Sequence, residues 1–361
     1  MEHLNKKEGK MKYSARKVFC LAILVIVVTV CLTLMAASRA TAQTAAPIEL
    51  KLAGIMPPNH AHSVAAQHCI DKMEKETNGR VKIKAYWAGT LISPREGYLE
   101  ALKGVADIVQ FSPAYEKSGL DLIRAQAGFY QSAPSEEAEV KIFWQLWEKY
   151  PELRRELQGV KLLGVFMAAP LRLMTVKPVK NLADLKGMRI KAPQEVLSTL
   201  KLFGAEGVII PMAETYESLA KGIIQGAFGA TEAYKSMKFA EVIKYETNLM
   251  TYIGTIPYYI MSLNSWNKLP PDIQKIFEAS KDWFDQETIN EGIKKDDEGS
   301  DAAKKAGVQL VQFPQADIQK WNEAYNGEML KKAKELDAKG LPGTKYYEDV
   351  RRLIAEMSKK K

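Results

Sequence analysis

"DLKGMRIKAP", Asp184–Pro193, is the stretch whose reading decides the fold. Met188, Ile190 and Ala192 alternate with Arg189 and Lys191, which is the period-two pattern of a strand with an apolar face and a cationic one. Pro193 then ends regular pairing. In an α/β protein both sheet faces are usually covered, so two cations on a strand need a partner or an exit. One exit is the carboxyl end of the strand, where such folds collect ligands. Lys191, at that end, is expected to face a cleft. Arg189 lies further back and is expected in a structural ion pair. The alternative is that both are surface or interlobe cations.

The segments on either side support an α/β chain. "IELKLAGI" alternates Ile48, Leu50 and Leu52 and reads as a first strand that breaks at Pro57-Pro58. A helix is expected from about Ser63 to Thr77, with Gly79 as its stop. "VKIKAYW" puts Val81, Ile83 and Ala85 on one face of a second strand. Ser93-Pro94-Arg95-Glu96 predicts a helix start, with Ser93 as N-cap, Pro94 in the first turn and Glu96 closing a capping box, and the helix runs to Gly104. "ADIVQF" is a strand leading into Ser112-Pro113. This β-α-β-α-β order predicts a parallel, helix-covered sheet. A helical stretch follows whose Phe143, Trp144 and Trp147 are expected to pack. "KLLGVFMAA" and "PLRLMTVKPV" are extended. After Pro193 come a helix to Phe203-Gly204, a short strand "GVIIPM" and a helix "AETYESLAKG", so a second parallel unit starts near residue 170. "YYIMSLN" reads as a strand, and the C-terminal third is mostly helical.

The N-terminus reads as an export leader. Lys6, Lys7, Lys10, Lys12, Arg16 and Lys17 precede an apolar run from Val18 to about Ala37, and small residues follow at Ala40 and Ala42. This is a secretory signal peptide pattern with cleavage after Ala42, which places the protein in the periplasm. An uncleaved anchor is the alternative, because the apolar run is nearly long enough to span a membrane. A lipoprotein signal is disfavoured, because Val30 rather than a small residue precedes Cys31. Residues 1–42 carry seven Lys/Arg and two Glu, so the chain's net charge of +8 falls to +3 beyond them. With no basic stripe and interleaved aromatics, nucleic acid is not an expected partner. Cys20 and Cys31 go with the leader. Cys69 remains alone, so no intramolecular disulfide forms, and it reads as a buried thiol acting as a small hydrophobe. The chain beyond residue 42 is long enough for two lobes with their own cores.

The chain offers little for catalysis. His60, His62 and His68 are the histidines left beyond the leader. "HAHSVAAQH" lacks the i,i+4 pair and the Cys or carboxylate partners of a helical metal site, so neither metal nor cofactor is expected. His62, near a helix start, is expected to face a cleft. G-x-S-x-G, Walker, G-x-G-x-x-G and H-E-x-x-H motifs are absent, and no two carboxylates are paired by spacing for acid–base work.

Five blocks in order carry a resemblance: Glu74–Leu91, Arg95–Ile108, Leu171–Pro193, Pro211–Tyr234 and Lys268–Ser280. In the fourth, Glu214, Tyr216, Leu219 and Gly222 fall in register. The chain resembles the DctP-like solute-binding proteins of tripartite ATP-independent periplasmic (TRAP) transporters over roughly residues 50–330. The resemblance implies a type II-like periplasmic binding protein of two α/β lobes with parallel-core sheets, joined by crossing hinge strands and closing around a small ligand. It implies a first lobe from residues 48–168 plus about 257–296, and a second from 169–256 plus about 297–361 with the C-terminal helices. The partners it implies are a small organic acid and the integral membrane carrier subunits that receive it, and the protein is expected to be a monomer.

The family's carboxylate-binding arginine in "K-G-x-K-I-R-x-P" is matched here by Lys191, and a second family arginine by Arg172. Gln225 and Gly229 stand where the family tends to have aspartate and asparagine. Lysine keeps the cation but not the planar fork that grips a carboxylate with two parallel bonds. Gly229 makes room and Phe228 adds apolar surface, so a bulkier or more apolar carboxylate is expected. Ser112 and Tyr115, at a strand end, are expected to line the other lobe. Glu232 joins them, or forms a lid-side salt bridge instead. A periplasmic ligand sensor for a signalling receptor is the alternative within the same fold. An exported enzyme is the alternative from another class.

Overall fold

The computed structural model describes residues 46–359 apart from 117, 118 and 168. The leader, its cleavage point after Ala42, Cys20 and Cys31 lie outside the described residues, as do Lys360 and Lys361 of the terminal lysines. Two sheets organise the chain. The first has the order β2-β1-β3-β10-β4, with β1 Ile48–Ala53, β2 Val81–Tyr86, β3 Ile108–Gln110, β4 Val160–Phe166 and β10 Ile256–Ser262. The second has the order β11-β9-β5-β8-β6-β7, with β5 Leu171–Thr175, β6 Arg189–Lys191, β7 Glu206–Val208, β8 Gly226–Gly229, β9 Tyr245–Thr251 and β11 Gln309–Val311. Each sheet has a parallel portion, β2-β1-β3 in the first and β7-β6-β8 in the second. Each is extended by antiparallel strands that enter from the other sheet's side of the chain. The chain therefore crosses between sheets from β4 to β5 and from β9 to β10. This is a two-lobed α/β architecture.

Helices cover both sheets. Those used below are α1 Ala61–Glu76, α2 Gly97–Leu102, α3 Asp121–Gln126, α4 Glu136–Lys149, α5 Leu197–Leu202, α6 Met212–Ala220, α7 Ala233–Ser236, α8 Lys281–Lys305, α9 Gln315–Ala338 and α10 Gly343–Ser358. α8, 25 residues long, packs on α1 and β4 near its start and on α7 near its end, so one helix braces both lobes. α9 leans on α5 and α3, and α10 on α4. In α4, Phe143 is fully buried, and the Trp144 indole donates to Asp285 at 2.8 Å, so these aromatics are packing groups. The Cys69 thiol packs half-buried against the core, and burial pushes its pKa up to about 12, away from thiolate chemistry.

One local expectation is corrected. Ser93 and Glu96 do not form a capping box, because residues 93–96 make a turn and α2 begins only at Gly97. The Ser93 hydroxyl accepts from the Arg95 N–H at 3.2 Å. The carboxylate that reaches back to the Ser93 N–H is Glu100, at 2.8 Å. Pro94 starts the turn, and the acid in the first helical turn is the one within reach.

Candidate functional site

The decisive stretch lies at the site. β6 sits between β8 and β7, with Lys191 opposite Ala227 and Val208. Its alternation holds: Ile190 and Ala192 are core, while Arg189 and Lys191 share the other face. The two cations then part. Arg189 is exposed and pairs with Glu206, directly opposite on β7, at 3.2 Å. Lys191, at the strand's carboxyl end, keeps only 7% of its surface and faces a cavity between the lobes. Its ammonium meets the Met212 sulfur at 3.2 Å, a weak acceptor. No carboxylate pairs with it among the described residues, and burial lowers its pKa to about 8.

The cavity has a volume of about 160 Å³. Of the residues expected at the site, His62, Ser112, Tyr115, Lys191, Phe228 and Glu232 line it. The first lobe supplies Ser112 and Tyr115 from the end of β3 and His62 from the start of α1. The second supplies Phe228 from β8, fully buried and stacked on Trp321 at 5.7 Å. Gly229 also lines the cavity, but an added Cβ there would touch Met174 at 3.6 Å and Phe239 at 4.0 Å, so the missing side chain faces packed core and not the cavity.

Arg172 is not among the lining residues. Its neighbour Leu171 faces the cavity, and strand alternation turns Arg172 to the opposite side. There Met174 stands opposite Glu246 of β9, so Glu246 shares the Arg172 face. The guanidinium bonds it at 3.1 Å.

Other lining groups were not legible in the sequence. His60, Arg124, Glu195 and Asp296 all reach the cavity. His60 Nε2 lies 2.7 Å from Glu232 Oε1, and the Ala61 N–H donates to the other Glu232 oxygen at 3.2 Å. Burial alone would raise the Glu232 carboxyl. The charges of His60 and His62 and these hydrogen bonds outweigh it, and the pKa falls to about 2. Burial, reinforced by the charge of His60, lowers His62 to about 3, so its imidazole is neutral. Burial pushes the Tyr115 phenol up to about 12. Glu195 keeps 7% of its surface, and burial raises its carboxyl to about 7. The Arg124 guanidinium donates to the Glu116 carbonyl at 2.9 Å and lies 3.6 Å from Asp121.

Further contacts close the mouth of the cleft across the lobes. Arg95 reaches Glu214 at 3.5 Å, and the Asn59 amide donates to the Ser236 carbonyl at 3.3 Å. The histidines do not gather around one centre. His68 instead lies beside Glu287 and Glu291 of α8, with Nδ1 2.6 Å from a Glu287 oxygen. The Lys294 ammonium, 3.0 Å from Glu291, already neutralises part of that group.

Two sheet-centred lobes, chain crossings between them and a mostly apolar cavity, lined by a buried Lys191 with no carboxylate partner among the described residues, define a ligand-capturing binding protein. The chain belongs to the bacterial extracellular solute-binding proteins of family 7, the DctP family, whose model matches residues 52–335. Among solved structures, it is similar to a TRAP periplasmic solute-binding protein from Desulfovibrio salexigens, seen as an open complex. The two are 28% identical with a TM-score of 0.72, and the match covers 86% of this chain and 97% of that one. It is also similar to a TRAP solute-binding protein from Rhodoferax ferrireducens in complex with copurified benzoate, at 24% identity and a TM-score of 0.78, covering 86% and 99% of the two chains. Among curated proteins, it is 28% identical over 218 residues to the uncharacterized protein YiiZ of Salmonella typhimurium. That match covers 58% of this chain and 64%, just under two thirds, of that one. Among the described residues, no helix is long and apolar enough to cross a membrane.

Proposed function

We propose that the protein, exported through residues 1–42 and acting as a monomer in the periplasm, captures a small organic acid anion by closing its lobes and delivers it to the membrane subunits of a TRAP carrier. The observation that carries this reading is the Lys191 ammonium, 7% exposed, facing the cavity and lacking a carboxylate partner among the described residues. A buried unpaired charge costs several kcal/mol, and a ligand carboxylate removes that cost. Bonds from a charged donor to a carboxylate are also about twice as strong as neutral ones.

The cavity size supports a ring-sized or branched body. About 150 Å³ suffices to hold benzene in an engineered apolar cavity, and this one measures about 160 Å³. Phe228, Ile210 and Ile253 supply the apolar side. The benzoate in the Rhodoferax ferrireducens relative is consistent with a ligand of this kind. The protein releases its ligand unchanged, whereas the exported-enzyme alternative predicts disappearance of the compound on incubation.

The test is a thermal-shift panel of aromatic, branched, keto, sugar and dicarboxylic acids on residues 43–361 and on Lys191→Met. A ligand that binds the folded state raises the melting temperature by mass action. We expect a rise with at least one acid that is lost in the variant. A rise given only by neutral or cationic compounds, or an equal rise in both proteins, refutes the carboxylate reading.

A further inference from the structure

Among the described residues that line the cavity, Glu195 and Asp296 are carboxyls without an ion pair, but Asp296 accepts from the Thr231 hydroxyl and the Glu232 N–H. Glu195 follows Lys191 by four residues, in the turn that joins β6 to α5, and 7% of its surface remains accessible. Its side chain runs close to Gly128, where an added Cβ would meet Glu195 Cγ at 2.9 Å, so the backbone there confines it against the cavity. The groups that face it come from three elements. Arg124 of α3 acts on it through space but is held by the Glu116 carbonyl and Asp121. Tyr325 of α9 is buried, and Glu195 raises its pKa further, so it stays a neutral phenol. Lys191 of β6 lines the same cavity. None of these neutralises an ionised Glu195 by direct contact among the described residues.

We propose that Glu195 is a specificity-determining residue that makes ligand capture proton-linked: the cavity takes a carboxylate ligand at Lys191 together with one proton on the Glu195 carboxyl. This rests on the carboxylate reading above. An ionised Glu195 has no direct counter-charge among the described residues. A ligand carboxylate that enters the same mostly apolar cavity brings a further negative charge near it. Taking a proton from solvent onto a Glu195 oxygen removes one of these two charges, and no other bond is made or broken. The neutral carboxyl is also a hydrogen-bond donor, a group that an ionised one cannot offer to a ligand oxygen.

The sign follows from the two titrations. The neutral form of Glu195 favours the anion, so affinity falls as pH rises through about 7. Lys191 must be charged, so a second loss begins only near 8. Glu195→Gln keeps the shape and the neutral state and should remove the first loss alone.

The experiment is isothermal titration calorimetry of the full mature chain at pH 6 and pH 8, in buffers of different ionisation enthalpy. Benzoate, mandelate, succinate and glucuronate are the probes. For a probe that binds, wild type and Glu195→Gln should match at pH 6, and the variant should bind about tenfold more tightly at pH 8. Wild type should take up about 1.4 protons per ligand at pH 8 and the variant about 0.5, the difference of about 0.9 being the Glu195 proton. The wild-type proton count needs no variant, so a poorly folding Glu195→Gln does not mask the result. Equal pH profiles in the two proteins, or no proton uptake by wild type, overturn the proposal and leave the carboxylate reading standing. If none of the four acids binds, that reading fails and the proposal fails with it.

Discussion

Lys191 holds a charge that no described neighbour neutralises, and Arg172 holds one that Glu246 does. The two cations therefore differ in what a ligand gains from them. Removing a buried charged contact costs about 2–5 kcal/mol, some 30- to several-thousand-fold in affinity. Lys191→Met should lose that much by titration calorimetry. Arg172→Ala should stay within about threefold of wild type, because its guanidinium lies off the cavity. A loss on Arg172→Ala as large as that on Lys191→Met would show that the guanidinium leaves Glu246 for the ligand. Lys191 was legible because alternation and a following proline are local signals. Arg172 was not, because its partner lies 74 residues away on a neighbouring strand and only register brings them together. Glu195 and Arg124 gave no signal at all, since their place at the cavity depends on how α3 and α9 pack.

At the scale of elements, the crossing from β9 to β10 is closely packed. Gly254, between β9 and β10, bonds the Ala127 carbonyl at 2.8 Å and abuts the Tyr130 ring. An added Cβ there would sit 2.0 Å from a ring carbon. Gly254→Ala should therefore destabilise by about 1–3 kcal/mol as an overpacked site and lower the melting temperature by several degrees. An unchanged melting temperature would mean the crossing shifts freely. The strands were readable because alternation with period two survives even in three-residue β6. The start of α2 was misread because a Ser-Pro-x-Glu spacing also fits a turn. Only the fold reveals that Glu100, one helical turn later, reaches the Ser93 N–H. That β10 runs antiparallel inside an otherwise parallel sheet is likewise set by the crossing and not by its own residues.

For the whole molecule, the motion in the proposed capture is closure of the lobes, and His60–Glu232 is a buried pair that spans the cleft. Ligand and latch both favour the closed state, so weakening either shifts the population toward open. Glu232→Gln keeps the shape but loses the charge. It should leave the ligand-saturated protein with a larger radius of gyration than wild type in X-ray scattering; an identical radius would remove the latch from the mechanism. The folded Glu232 carboxyl sits near 2, below its ordinary value of about 4.3. The pair's stabilising contribution is thus present above that ordinary value and is lost as pH falls through about 2. Mild acid should leave the carboxylate side of the latch intact.

The most direct measurement is a crystal structure of the mature protein with the acid that gives the largest thermal shift. The predicted result is a ligand carboxylate oxygen about 2.7–2.9 Å from Lys191 Nζ, the distance of a charge-assisted bond, with the ligand's apolar body toward Phe228, Ile210 and Ile253. A carboxylate seated on Arg124 or on a re-aimed Arg172, with the Lys191 ammonium still against Met212, would contradict it.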